Sequence, residues 1–231
     1  MIGNLARGIA VAAAAIGGAL FVSGASGLAR NDTPSVLPRA ASDVALFPER
    51  NEQTAVFAGG CFWGIDAVFK HVKGVISVTS GYAGGVRQAP SYEEVSSGET
   101  GHAESVKVVY DASQISYGQL LEIFFSVHDP TQLNRQGPDV GTQYRSVVFY
   151  VNEDQKRIAD AYIAQLTKAR TFKKPIVTEV TKLNNFYPAE AYHQNYFALH
   201  PYQPYIVIND APKVEHLKRV FPALYRESAA K

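Results

Sequence analysis

Cysteine is almost absent from this sequence: Cys61 is the only one in 231 residues. A single thiol excludes an intramolecular disulfide, a Cys-rich zinc site and a Cys-x-x-Cys redox pair. Charge of either sign is not in excess. The 22 basic and 21 acidic residues leave a net of +1, without the basic surplus that marks nucleic-acid binders. Charged residues make up only 19% of the chain against 46% hydrophobic ones, which excludes wholesale disorder and suits a packed core. There is no Gly-Lys-Ser/Thr to cradle a phosphate, no internal repeat, and no apolar run of the roughly 20 residues that a spanning helix needs. The length favours one domain, at most two.

What is present begins with a targeting pattern. Arg7 forms a small positive region, Ile9 to Val22 is apolar, and Gly27-Leu28-Ala29 resembles a processing site, with Ala25 as a second candidate. Residues 1–29 are therefore expected to be a secretory signal peptide, which would place the mature protein in the periplasm or outside the cell without stable membrane insertion. Residues 30–52, with Pro34, Pro38 and Pro48, read as a linker or draped N-terminal arm. Residues 53–231 read as one domain.

Within that domain the segments alternate in type. Thr54–Ala58 is a short strand, and Phe62, Ile65, Phe69 and Val72 recur at helical spacing after Gly59-Gly60. Strands follow at Gly74–Ser80 and at Glu104–Tyr110. Ser116 with Gln119 is a capping box opening a helix striped by Leu120, Leu121, Phe124, Phe125 and His128. A polar stretch, 129–144, leads to a strand at Ser146–Val151. Asn152 with Gln155 caps a helix to about Ala169, and a strand is expected around Ile176–Thr181. The order β-α-β-β-α-β with an appended helix and strand predicts an α+β fold: a split β-α-β (ferredoxin-like) two-layer sandwich, helices on one face of a mixed sheet. The tail from Phe186 to Tyr205 holds seven aromatics in twenty residues and is expected to be a long irregular segment wrapping over the domain.

Two places carry chemistry. Cys61 sits in Gly59-Gly60-Cys61-Phe62-Trp63-Gly64, a strand-to-helix turn where unpaired N–H groups and the positive dipole end favour a thiolate. The residues alone leave open a buried, structural Cys61. In Gly101-His102-Ala103-Glu104, strand parity puts Glu104 on the face of Val106, Val108 and Tyr110, where desolvation would favour a neutral, proton-donating carboxyl. A solvated Glu104 at the sheet rim is the alternative. His102-x-Glu104 also begins a zinc-deaminase signature, but the required Cys-x-x-Cys is absent and no metal is expected. Loops carrying Tyr92 and Tyr144 are rich in glycine and hydrogen-bonding side chains, the kind of loop that carries function; ordinary packing with a satisfied hydroxyl is the alternative for either tyrosine.

These motifs, together with Gly81-Tyr82-Ala83-Gly84-Gly85, Pro90-Ser91-Tyr92-Glu93, His128-Asp129-Pro130-Thr131-Gln132 and Gly141-Thr142-Gln143-Tyr144-Arg145, resemble peptide methionine sulfoxide reductase of the A type, in order over about residues 53–200. The resemblance implies reduction of methionine sulfoxide (S epimer), in proteins or free. Cys61 would attack the sulfoxide sulfur and pass through a sulfenic acid. Glu104 would protonate the oxygen, Tyr92 and Tyr144 would hold it, Phe62 and Trp63 would receive the methyl group, and Asp139 would line the pocket. Such donors stabilise an oxygen that gains negative charge as sulfur is attacked.

One departure matters. Many family members resolve the sulfenic acid with further cysteines; this tail has none, and Ser96 occupies a loop position that is often Cys. Recycling then falls to an external thiol, thioredoxin-like, glutaredoxin-like or small, with no tightly bound cofactor. The expected partners are oxidised proteins and peptides and that reductant, with the enzyme itself a monomer. A thiol-dependent peroxidase and an exported peptide-binding module using the aromatic tail are the alternative functions.

Overall fold

The computed structural model describes residues 37–227, so the expected signal peptide lies outside the described residues. β1 (Glu52–Gly59) turns into α1 (Phe62–Lys70), followed by β2 (Val75–Ala83), α2 (Tyr92–Ser96), β3 (Ala103–Asp111) and α3 (Tyr117–Val127). Two-residue strands β4 (Arg135–Gln136) and β5 (Asp139–Val140) and a 3-10 turn at Thr142–Tyr144 precede β6 (Ser146–Tyr150), α4 (Glu153–Lys168), β7 (Glu179–Lys182) and β8 (Phe186–Pro188). α5 (Tyr196–Leu199), a π-helical turn at Ile206–Asp210 and α6 (Ala211–Val220) follow.

The result is an α+β fold around a six-stranded mixed sheet, in the order β7-β6-β1-β3-β2-β8. Only the β6–β7 pair is parallel. β1 and β3 are central, and β1 is buried and apolar on both faces along Ala55, Val56, Phe57 and Ala58. One face, with Phe57, Tyr82, Val106 and Val108, packs with the buried residues of α1, α3, α4 and α6. The other carries a smaller patch of Val56, Ala58, Ala103, Val147 and Phe149, against which Leu183 and Phe186 pack. Phe57 anchors the main core, stacked at 5.3 Å on Phe69 and 4.9 Å on Phe124. Among the described residues, no helix is long and apolar enough to cross a membrane.

Local signals set the helix starts. The Ser116–Gln119 box is reciprocal in the structure, and Asn152 caps α4 by accepting from the Gln155 N–H at 2.9 Å. The chain before β1 drapes over α3 and α4: the Ala40 N–H donates to Glu122 (2.7 Å), the Tyr162 hydroxyl to the Pro38 carbonyl (2.9 Å), and Gln165 to the Arg39 carbonyl (2.7 Å). Asp43 accepts from the Ser116 hydroxyl (2.5 Å) and the Gly118 N–H (2.9 Å), so the arm itself caps α3.

The structure corrects two expectations. The strand anticipated at Ile176–Thr181 begins later, at Glu179, because the Val177 N–H is engaged by the Pro130 carbonyl (2.8 Å) before the chain reaches β6. The tail is not irregular throughout. It adds β8 to the sheet edge against β2 and then forms α6, whose Val214 and Leu217 are buried in the main core. A third element was overlooked: α2 opens with a reciprocal Ser91–Glu94 box, a pattern legible in Ser-x-x-Glu. Replacing Ser116 by Ala should destabilise the protein by about 1–2 kcal/mol in urea titrations, because both the cap and the Asp43 contact are lost. An unchanged midpoint would mean that this helix end is satisfied without Ser116.

Candidate active site

The site is built where β1 runs into α1. Gly60 adopts φ +92°, and a Cβ there would lie 2.5 Å from the Gln136 side chain, so the turn requires glycine on both conformational and steric grounds. The turn delivers Cys61 to the N-cap of α1, buried at 8% exposure. The open N–H groups of the first helical turn then have specific partners. Glu104, on the central strand β3 and 2% exposed, accepts from the Phe62 N–H at 3.0 Å. The Trp63 amide faces the Cys61 sulfur and favours its anion. The inward strand parity expected for Glu104 is the one observed, and the rim alternative is overturned.

Burial dominates the protonation states. It raises Glu104 to about 8, opposed by the Phe62 N–H and reinforced by Asp139 and Asp210. Burial, then the charges of Glu104 and Asp210, push the Cys61 thiol well above its ordinary value; the Trp63 amide and Lys213 only partly offset them. The resting sulfur is therefore a thiol. The expectation of a resting thiolate from the helix end alone fails, because desolvation outweighs a favourable dipole.

The two tyrosine loops are laced together. Tyr92 begins α2, its N–H donating to Glu190 Oε1 (2.8 Å), while Glu190 Oε2 accepts from the Tyr82 hydroxyl (2.8 Å). Tyr144 ends the 3-10 turn, whose Gln143 and Thr142 side chains donate to the Ser96 (3.0 Å) and Gly98 (3.2 Å) carbonyls behind α2. Both phenols are raised, by burial first, and both feel the charges of Glu104 and Cys61. They are thus hydroxyl donors at neutral pH. Trp63 is half-buried, stacked on Tyr196 at 3.8 Å, with its indole N–H donating to His193 Nδ1 (3.2 Å). Phe62 lies behind it, 1% exposed, against Tyr82 and His193. Phe62 forms the floor of the aromatic wall and Trp63 its accessible part.

A cavity of about 300 Å³ opens beside Cys61, with Asp139, Arg135, Tyr205 and Lys213 among its lining residues. Asp139 accepts from the Tyr205 hydroxyl and is raised by burial against that bond. Tyr205, Asp210, Lys213, Glu190 and His193 all come from the C-terminal segment and were not singled out from the sequence. Its density of aromatics was the available signal for that segment. His102 is taken up structurally, its ring bridging the Gly85 N–H (3.1 Å) and the Arg87 carbonyl (2.7 Å). Among the described residues, no three His, Cys, Asp or Glu side chains converge to hold a metal ion.

A family model described as "Peptide methionine sulfoxide reductase" matches residues 53–224. A peptide methionine sulfoxide reductase MsrA 2 of Mesorhizobium japonicum is 58% identical over 176 residues, covering 76% of this chain and 90% of the relative. An MsrA of Natronomonas pharaonis is 53% identical over 168 residues, 73% of this chain and 94% of the relative. Among solved structures, methionine sulfoxide reductase A of Corynebacterium diphtheriae superposes with a TM-score of 0.60 at 30% identity, covering 76% of this chain and 92% of that one. Reduced Mxr1 of Saccharomyces cerevisiae gives 0.60 at 31%, covering 71% and 92%.

Because Glu104 is raised to about 8 and an unfolded glutamate titrates near 4.5, the folded protein holds a proton there that the unfolded chain has released. Its contribution to stability is full below about pH 4.5 and is lost as pH rises through about 8. The urea midpoint of the parent should fall over that window more steeply than that of Glu104→Gln, whose amide still accepts from Phe62. Parallel curves would show that Glu104 is ionised in the folded protein.

Proposed function

The chain belongs to the peptide methionine sulfoxide reductase family and reduces peptide methionine (S)-S-oxide to methionine, and on that footing we propose how its own residues divide the work. Cys61 is the nucleophile, and Glu104 is the acid that protonates the sulfoxide oxygen. Tyr92 and Tyr144 donate hydroxyls to the same oxygen. Trp63, backed by Phe62, receives the methyl group, and Asp139 with Tyr205 lines the adjoining cavity. The observation that carries this reading is the buried Glu104 carboxyl on the Phe62 N–H, one residue from the Cys61 sulfur.

At neutral pH both Cys61 and Glu104 hold protons, which matches what the reaction consumes. As the sulfoxide sulfur is attacked, its oxygen becomes basic and takes the Glu104 proton, and Glu104 is replenished by the thiol proton. Overall a thiol and a sulfoxide become a sulfenic acid and a thioether. The attack joins the Cys61 sulfur to the substrate sulfur. The sulfoxide S–O bond then breaks, the oxygen bonds to Cys61 as a hydroxyl, and the sulfur–sulfur bond breaks to release the thioether. The thiol proton ends, by way of Glu104, on the sulfenic hydroxyl. The substrate sulfur is reduced by two electrons, and Cys61 is oxidised by two.

Cys61 has no second cysteine in this chain, so recycling uses an external thiol. One thiol displaces water to form a mixed disulfide, and a second frees Cys61 as the reductant becomes a disulfide. A thioredoxin-like, glutaredoxin-like or small thiol satisfies this chemistry. The apolar stretch between Arg7 and Ala29 supports export to the periplasm or beyond, where that electron supply would have to be provided. The central strand order β6-β1-β3-β2 supports reading the sheet core as a split, ferredoxin-like β-α-β arrangement.

Two measurements test the assignment. Reduced protein mixed with excess sulfoxide and no reductant should yield one methionine product per chain and gain the mass of one oxygen. A covalent dimer would instead show that Cys61 of a second copy resolves the intermediate. Glu104→Gln should slow single-turnover reduction by about 10²–10⁴-fold while Cys61 remains open to alkylation. An unchanged rate and pH profile would remove Glu104 from the chemistry.

A further inference from the structure

Gly64, the last residue of the Cys61 motif, lies in the first turn of α1 and has no part in the chemistry above. A Cβ there would lie 2.2 Å from Asp210 Oδ1 and 2.6 Å from Lys213 Nζ. That space is filled by an ion pair, Lys213 Nζ to Asp210 Oδ1 at 2.9 Å, with side-chain exposures of 11% and 0%. The π-helical turn at Ile206–Asp210 runs into α6 at Ala211, so the two partners stand one helical turn apart on a rigid element. Lys213 lines the same cavity as Cys61.

A buried ion pair is a weak device for stability, since desolving two charges costs about as much as their attraction returns. Its position suggests another use. The carboxyls of Glu104, Asp139 and Asp210 all bear on this pocket, and Tyr92, Tyr144 and Tyr205 add only neutral hydroxyls at neutral pH. His128, also on the cavity wall, is driven by burial to about 4 and is uncharged. Arg135 is exposed, its Nε–H turned to the Gly137 carbonyl (2.8 Å). Lys213, half-buried with its side chain 11% exposed, is thus the enclosed cation on the wall that Cys61 shares.

We propose that Lys213 is a positioning residue for the reaction, clamped by Asp210 over Gly64 so that its ammonium is the counter-charge for the Cys61 sulfur anion when it attacks the sulfoxide. Burial would by itself pull the lysine down, but the Asp210 carboxylate more than offsets this and keeps the ammonium charged. The resting pocket holds a thiol, and the ammonium lowers the cost of the brief interval in which the thiol proton has left and the bond from the Cys61 sulfur to the substrate sulfur has not yet formed. Lys213 acts through Cys61 and touches no reacting bond. The proposal rests on Cys61 being the nucleophile.

The test is the pH profile of Cys61 alkylation by a neutral alkylating agent, which needs no sulfoxide turnover. Lys213→Gln retains a donor for Asp210 but loses the charge. It should alkylate about tenfold more slowly at neutral pH, the profile moving up by about one unit, and Lys213→Arg should restore most of the rate. A Lys213→Gln profile matching the parent, at an unchanged thermal midpoint, overturns the proposal. Should Lys213→Gln fail to fold, the ¹⁵N ammonium signal of Lys213 in the parent decides: it should shift as Cys61 ionises and stay still in Cys61→Ser, and a signal indifferent to Cys61 overturns the proposal. Loss of turnover in Cys61→Ser is expected either way, so failure of the lysine assignment and failure of the nucleophile assignment are distinguishable.

Discussion

The structure depends on one hydrogen bond: the buried Glu104 carboxyl accepting from the Phe62 N–H at the start of α1. A carboxyl in an apolar interior is costly unless it is neutral or well paired. Here it has a backbone donor that the helix would otherwise leave open. The sheet order makes this possible. β3 lies beside β1, whose end carries the Cys61 turn, and on its other side Tyr82 of β2 is registered opposite Glu104. Tyr82 then reaches Glu190, and Glu190 holds the N–H of Tyr92. One inward-facing acid is thereby connected through the sheet to a loop bearing a phenol.

The electrostatics follow from enclosure. Glu104 and Cys61 are both driven toward their protonated forms chiefly by desolvation. This pocket stores protons for a reaction that moves one to oxygen, and it does not keep a permanently reactive thiolate. A buried thiol is also shielded from adventitious oxidation, which proceeds through the thiolate. That property suits a chain with a single sulfur nucleophile.

The outer parts of the site are held by loops that brace one another. Gln143 and Thr142 reach the carbonyls behind α2, and the C-terminal segment supplies Glu190, His193, Tyr205 and the Asp210–Lys213 pair. β8 anchors that segment at one end and α6 at the other. Side chains far apart in the chain therefore share one pocket without a disulfide to hold them.

What was legible in the sequence was what short-range geometry dictates. Ser116–Gln119 and Asn152–Gln155 cap helices because their partners lie three residues away. Strand alternation alone turned Glu104 inward beside Val106 and Val108, and the Gly60-Cys61 pair marked the turn because few other residues fit there. The tail was not legible: the pairing of β8 with β2 and the approach of Lys213 to Cys61 join residues more than a hundred positions apart, and no local pattern encodes them. The protonation of Cys61 was not legible either. The sequence by itself determined the thiol's place at a helix end, whose dipole favours the anion. Only the tertiary structure decided that enclosure, with two carboxyls nearby, outweighs that dipole, because desolvation is a property of everything packed around a group and not of its neighbours in the chain.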